Sequence, residues 1–478
     1  LSHSTPSLFF YDFETWGTNP KLDFPSQFAG IRTDNDLNII GKPVNIYCQI
    51  PNDYLPQPQA ALITGISPQQ TLRDGLIEPH FIGRIMQEFS QPNTCVLGYN
   101  SLRFDDEVTR FTLYRNFHDP YGREWQNGNS RWDIIDMVRA CYALRPEGIN
   151  WPTNDEGLPS FKLENLSKAN GLEHEQAHDA MSDVYATIAV TKLIKEKQPK
   201  LYHYLFDLRL KQSVLKLIDV NQAKPLVHIS SKISSQHGCC TWILPIAWHP
   251  VNKNAVICLN LSLNPEPLFE LTVDEIIEKL YRPSSELAPN EQRLPLKLVH
   301  INKCPVLAPA KTLTAENAER LDIDRELCLK NLEKIKNVSG LASKMIQVYD
   351  QERSVEEVDA DEALYSGGFF GQPDKEKMAF VREAQPEQLI DINWEFNDPR
   401  LNTLLFRYRA RHFPQTLSYD EQMRWQQHRQ AKLADADITA SIKADEFVIE
   451  IERLVELNAS DANKVALLKS LYEYGSSL

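Results

Sequence analysis

Two acids one residue apart, Asp12 and Glu14, close the apolar run Leu8-Phe9-Phe10-Tyr11. On a strand, side chains alternate between faces, so Asp12 and Glu14 project together while Phe13 packs opposite, with the two Cα atoms about 6 to 7 Å apart. Carboxylates at that spacing can converge on one divalent cation, and an all-oxygen donor set suits Mg²⁺ or Mn²⁺. Asp-x-Glu alone is too common to carry a function, so other groups must join it.

Three candidates do. Asp105 opens a segment, residues 101–117, whose period turns helical through Phe104, Val108 and Phe111, with Ser101 placed to cap it. Asp105 lies about 100° round the helix from Phe104, at the border of the expected buried face, whereas Asp106, about 200° away, is expected to face water. His178 and Asp183 stand in Ala177-His178-Asp179-Ala180-Met181-Ser182-Asp183, ahead of an amphipathic pattern marked by Val184, Tyr185, Ile188, Leu193 and Ile194. On one helix the pair would diverge by about 140°. They share a site only if His178 lies in the preceding loop and Asp183 in the first turns of the helix.

Four carboxylates and a histidine at strand and helix ends match where α/β folds place active sites. Clustered carboxylates repel one another unless cations neutralise them. Two divalent ions about 4 Å apart do so, and such a pair clamps the attacking and leaving oxygens of an in-line phosphoryl displacement. His178, with an unperturbed pKa of about 6.5, is the group able to take a proton from water near neutral pH. The chemistry indicated is metal-assisted hydrolysis of a phosphodiester.

The elements that must hold these groups can be read from periodicity. Residues 8–15 form a short buried strand, followed by strand regions at 39–50 and 94–100, with a helix at 79–89 between them. A short helix at 163–170 stops at Gly171. Short β-type runs follow at 225–230, 241–248, 255–263 and 297–301, with a hairpin turn at 249–254 and a helical excursion at 315–336, as in a small barrel. From residue 350 the pattern is helical, closing with a helix pair between 444 and 474. A chain of 478 residues is too long for one core, and the divisions expected are 1–198, 199–349 and 350–478.

A net charge of −14 weighs against a simple nucleic-acid-binding module, leaving an enzyme whose positive charge is gathered along a groove. Between Lys192 and His237 nine Lys/Arg face three acids. Around Tyr408, Arg407 and Arg411 are spaced i,i+4. Interleaved cations and rings suit single-strand phosphates and bases; the alternative is an amphipathic helix with its aromatics in the core. None of the eight cysteines forms a Cys-x-x-Cys pair, which argues against a zinc site or a disulfide framework and suits a reducing compartment. With no bilayer-length apolar stretch and no signal-peptide pattern at residues 1–7, a cytoplasmic location is expected.

Asp12-Phe-Glu14-Thr, Tyr99-Asn100 with Phe104-Asp105, and His178-x-Ala180-x-x-Asp183 resemble the three motifs of the DEDDh exonuclease family. Through Trp132-Asp133, the run 141–151 and two further domains, the chain resembles bacterial members of that family over essentially its full length. The resemblance implies an α/β, RNase H-like exonuclease domain with a mixed sheet and helices. An SH3-like β-barrel domain and an α-helical C-terminal domain follow it and close a groove over the strand. It implies 3′→5′ degradation of single-stranded DNA to 5′-mononucleotides, in DNA repair and recombination, with two Mg²⁺ ions that Mn²⁺ can replace. Carried over, Asp12 bridges both ions, Glu14 and Asp183 complete the shell of one, Asp105 serves the other through water, and His178 is the general base. Docking of the acidic C-terminal tail of single-stranded DNA-binding protein is also implied, with Arg145, Tyr204 and Lys224 as candidates, and action as a monomer. The competing readings are an exoribonuclease of the same fold and an inactive nucleic-acid-binding scaffold.

Overall fold

The computed structural model describes residues 5–172, 179–288, 292–351 and 358–478. The chain packs as two units, one built from residues 1–130, 174–185 and 355–478, the other from 131–173 and 186–354. The C-terminal helical segment therefore shares a unit with the N-terminal sheet. Trp16, Phe24 and Tyr54 form one apolar cluster with Phe447, Ile451, Leu468 and Tyr474. Phe111, Tyr114 and Phe117 form another with Leu401, Leu404 and Tyr408.

The sheet of the first unit is built on β1 (Ser7–Thr15), which pairs antiparallel with β2 (Pro25–Thr33) and parallel with β4 (Thr94–Gly98), while β3 (Val44–Tyr47) lies antiparallel to β2. Within this unit the order is β3-β2-β1-β4, a mixed sheet, and the chain leaves it at Ser130, where β5 (Ser130–Asp133) begins. β2 was not evident in the sequence. Its run Phe28-Ala29-Gly30-Ile31 is apolar without alternation and carries a glycine, because the strand is central and covered on both faces. Phe9, Tyr11 and Phe13 project from one face of β1 into a core with Phe28, Phe81, Ile85 and Phe89. Asp12 and Glu14 alternate with them and project from the other face.

The β1–β4 pairing stops at Phe10 and Leu97, so β1 overhangs its parallel neighbour by the segment that bears the acids. Gly98 permits this close exit, since a Cβ there would stand 2.7 Å from the Tyr11 carbonyl oxygen. The chain turns through Asn100, at φ +65°, into the helix Asp105–Arg115. That helix begins four residues later than the spacing suggests. Its N-cap position is Phe104, and the Ser101 carbonyl accepts the Asp106 N–H at 2.8 Å. The expectation that Asp106 faces water is corrected. It is 1 % exposed, accepts from Tyr11 Oη at 2.7 Å and pairs with Arg123 at 2.6 Å. The helix is buried on nearly every side, Arg110 and Arg115 included, so a one-faced reading of its pattern misplaces the polar residues.

The second unit carries an antiparallel sheet of β6 (Leu226–Ile229), β7 (Cys240–Trp248), β8 (Ala255–Asn260), β9 (Leu296–His300) and β10 (Val306–Pro309), in the order β10-β6-β7-β8-β9. The helices Ala315–Arg320 and Arg325–Lys336 follow it. All eight cysteines are buried, and none is in a disulfide. Among the described residues no helix is long and apolar enough to cross a membrane.

Candidate active site

Oxygen atoms of Asp12, Glu14 and Asp183 lie within 4.8 Å of one another. Asp12 and Glu14 come from the overhanging end of β1, and Asp183 from the first turn of the helix Ala180–Lys197. Asp105 approaches from the side where β4 has ended. The Phe13 N–H donates to its Oδ1 at 3.1 Å, so the carboxylate takes up a backbone donor beside the site. The structure thus gathers Asp12, Glu14 and Asp183 directly and sets Asp105 against them through the backbone of β1. His178 lies outside the described residues.

The electrostatics are those of a cation trap. Burial, then the charges of Asp105, Glu14, Asp183 and Asp179, raise the Asp12 carboxyl well above the ordinary carboxylate range. Burial, Asp183 and Asp179 push Glu14 up to about 8. The charges felt most strongly by both groups are other carboxylates. An all-oxygen donor set of this kind, too negative to stay ionised without counter-charge, fits hard divalent cations.

Two residues near these acids escaped the sequence reading. Asp179 adds a further carboxylate to the cluster, and its side chain is held by Gln27 on β2 at 2.7 Å. Asp179 was adjacent to a recognised histidine and could have been found; Gln27 could not, because its strand was not recognised. A second group lies one turn into the Asp105–Arg115 helix. Tyr365 Oη donates to Glu107 Oε2 at 2.5 Å, and Phe369, 88 % exposed, meets Tyr121 edge-on with ring centroids 5.8 Å apart.

The assignment of Arg407, Tyr408 and Arg411 to strand binding is corrected. Arg411 bonds Asp53 through Nε at 3.0 Å and Nη2 at 2.7 Å, and Asp361 through Nη1 at 3.0 Å and Nη2 at 2.6 Å. Arg407, 7 % exposed, pairs with Asp359 and with Asp361 at 2.8 Å. Tyr408 is buried in the apolar cluster with Phe117. The spacing indicated a basic stripe, but the acids that neutralise it are distant in sequence and could not be seen. Of the residues considered for a partner's tail, all in the second unit, Lys224 is exposed. Arg145 follows the helix Ile134–Leu144 half-buried, with Nη1 donating to the Leu144 carbonyl, and Tyr204 Oη donates to the Leu307 carbonyl at 2.8 Å.

Comparison with known proteins agrees with this chemistry. Residues 9–191 match a family described as exonuclease, 209–351 the exonuclease I SH3-like domain, and 358–478 the exonuclease I C-terminal domain. Exodeoxyribonuclease I of Haemophilus influenzae is 51 % identical over 476 residues, covering 99 % of this chain and 98 % of its own. The crystal structure of E. coli exonuclease I with a dA16 oligonucleotide superposes with a TM-score of 0.95 at 49 % identity, covering 99 % of this chain and 100 % of that one. A zinc-bound form of the E. coli enzyme with single-stranded DNA gives 0.94 at 48 % identity, covering 99 % of each chain. A structure of SSB/exonuclease I with an inhibitor gives 0.91 at 48 % identity, covering 99 % and 100 %. Three domain matches in register and a relative of more than half identity across nearly the whole length place the chain in the exodeoxyribonuclease I family.

Proposed function

We propose that this chain removes 5′-mononucleotides from the 3′ end of single-stranded DNA by two-metal hydrolysis, in DNA repair and recombination. The observation that carries the reading is the convergence of Asp12, Glu14 and Asp183 within 4.8 Å at the half-buried, overhanging end of β1. These three, with Asp105, would hold two Mg²⁺ ions, or Mn²⁺ in their place. When bound, the ions would polarise the scissile phosphodiester and lower the pKa of the attacking water. Asp12 stands central to the acids and is the one suited to serve both ions. Asp105 is fixed by the Phe13 N–H and serves from the side. His178, which precedes Asp179 in the sequence, is assigned as general base.

With Arg407 and Arg411 committed to internal acids, Phe369 and Tyr365 replace them as candidates for contact with the strand. An exposed ring beside the helix that bears Asp105 offers a base-stacking surface. All the described carboxylates come from one chain, so the reading requires no second copy. The SSB/exonuclease I structure supports single-stranded DNA-binding protein as a partner, and Arg145, Tyr204 and Lys224 are the candidates for its acidic tail. Cytoplasmic location accompanies this reading.

Matched single-stranded DNA and RNA oligonucleotides, labelled at either end and digested with Mg²⁺ or with EDTA, test it. Release of mononucleotides from the 3′ end of DNA, abolished by EDTA and by Glu14→Gln, is expected. Equal rates on RNA would favour the exoribonuclease, and EDTA-insensitive hydrolysis would overturn the metal mechanism.

A further inference from the structure

Beside the carboxylates the same sheet face carries a buried neutral side chain, Gln27, 2 % exposed. Gln27 is the cross-strand partner of Glu14 on one side and of Tyr47 on the other, and partners in register project to the same face. Its Nε2 donates to Asp179 Oδ1 at 2.7 Å and to Asn45 Oδ1 at 2.9 Å, so both amide hydrogens are used. Asp179 immediately precedes the helix Ala180–Lys197, and its carbonyl accepts the Asp183 N–H at 3.2 Å. A continuous path of hydrogen bonds therefore runs from the strand opposite Glu14 to the helical turn that presents Asp183.

We propose that Gln27 is a positioning residue: by pinning Asp179 to β2, it delivers Asp183 to Asp12 and Glu14 in a geometry ready for metal. This rests on the assignment of Asp12, Glu14 and Asp183 as ligands. The side-chain type follows from three requirements. The partner is a carboxylate, so the anchor must donate. The anchor is buried, so its second N–H also needs an acceptor, which Asn45 supplies. It must also be neutral. A lysine or arginine here would be a resident cation among acids that must keep their charge for divalent ions, and a glutamate would turn a third carboxylate on Asp179 and Glu14. Outer-shell partners of this kind fix ligand orientation, and their loss costs about 10- to 100-fold in metal affinity.

The test is a rescue. Mn²⁺ binding to the full chain without DNA is titrated by electron paramagnetic resonance for wild type, Gln27→Glu, Asp179→Asn and the double variant, with thermal unfolding in EDTA as the check on folding. In Gln27→Glu two carboxylates face each other, and Mn²⁺ affinity is expected to fall about 10- to 100-fold. In the double variant the amide introduced at position 179 donates to the carboxylate introduced at position 27, reversing the bond and keeping the cluster's net charge, so most of the affinity should return. The apparent KM for Mg²⁺ should follow the same order, with kcat at saturating Mg²⁺ changing less. Wild-type affinity in Gln27→Glu, or a double variant that binds no better than Gln27→Glu, overturns the proposal. Should Gln27→Glu fail to fold, Gln27→Met removes both donors at similar length, and wild-type affinity there overturns it equally. Glu14→Gln in the same titration separates the two readings. If it leaves Mn²⁺ binding intact, the ligand assignment fails; if it weakens binding while the Gln27 variants do not, only the role of Gln27 fails.

Discussion

The first unit holds two clusters of buried and half-buried carboxylates that behave in opposite ways. Around Asp53, Asp359 and Asp361 the protein brings its own cations: Arg407, Arg411 and Lys432, three against three. Burial alone would raise Asp53 and Asp361, but the guanidinium of Arg411, with Lys432 on Asp53 and Arg407 on Asp361, holds both far below the carboxylate range. Around Asp12 and Glu14 the dominant neighbours are further acids, and both groups are raised. Burial is common to both clusters, so it does not distinguish a site from a brace. The difference is whether the counter-charge is built in. A cluster neutralised by side chains ties segments together, here the 53 region to the C-terminal helices. A cluster without built-in counter-charge stores a binding site for cations from solution at a cost to the fold.

Charge removal should therefore have opposite consequences in the two places. Asp12→Asn is expected to lower single-strand hydrolysis on the order of 10⁴-fold, about 5.5 kcal/mol at 1.36 kcal/mol per decade. Thermal unfolding in EDTA should show the variant as stable as wild type or more so, because the group removed is one whose charged form burial and the neighbouring acids disfavour. Arg411→Met should do the reverse, costing about 3–5 kcal/mol of stability by stranding Asp53 and Asp361, as read by urea unfolding. Its folded fraction should keep the salt dependence of strand binding, since the Arg411 guanidinium is committed to Asp53 and Asp361. A slope lower by about one would return Arg411 to the DNA interface. The third contrast is metal. At a hundredfold excess over Kd, Mg²⁺ should add about 2.7 kcal/mol of stability to wild type and much less to Glu14→Gln; equal gains would detach the acidic cluster from the cation.

The same contrast marks what the sequence could reveal. Asp12, Glu14, Asp105 and Asp183 were legible because a strand period and a helix start fix the facing of each, and the facing is a local property. Arg407 and Arg411 were equally regular, yet their partners lie 46 to 50 residues away at Asp361, 48 at Asp359 and 358 at Asp53. No local pattern reports on contacts of that range. Asp106 was misplaced for a related reason: the helix Asp105–Arg115 is buried on nearly every side, so its periodicity could not say which polar residue is buried. β2 and with it Gln27 were missed because a central strand loses the alternation that marks a half-exposed one. The C-terminal helix pair at Ala444–Leu457 and Ala462–Ser476 was close to its expected place, since long amphipathic helices carry their own signal.

The opposite pKa directions give the clusters opposite pH slopes. Asp53 and Asp361 are lowered in the folded state, so their stabilisation is complete above the unfolded value of about 4 and is lost as pH falls below it. Glu14 is raised to about 8, so its contribution is complete below its unfolded value and is lost as pH rises towards 8. In EDTA, unfolding followed from pH 3 to 8 should show the acid-side loss in wild type and in Glu14→Gln alike. The alkaline-side loss should shrink in Glu14→Gln, and an identical pair of curves would remove Glu14 from the titration.

The smallest effect expected is at Lys432. Its Nζ donates to Asp53 Oδ2 at 2.9 Å, the oxygen that Arg411 Nη2 also reaches at 2.7 Å. Lys432→Met leaves Asp53 paired with Arg411 through both carboxylate oxygens, so the loss is that of one charge-assisted bond, about 1.5–3 kcal/mol at most. The cluster then has one more acid than cations, with the excess beside Asp53. Its acid-side loss should begin at higher pH than in wild type, while Mn²⁺ affinity at the acidic site stays unchanged. A parallel fall in Mn²⁺ affinity would mean that the two clusters are coupled through the fold rather than independent, and the division between brace and site would have to be withdrawn.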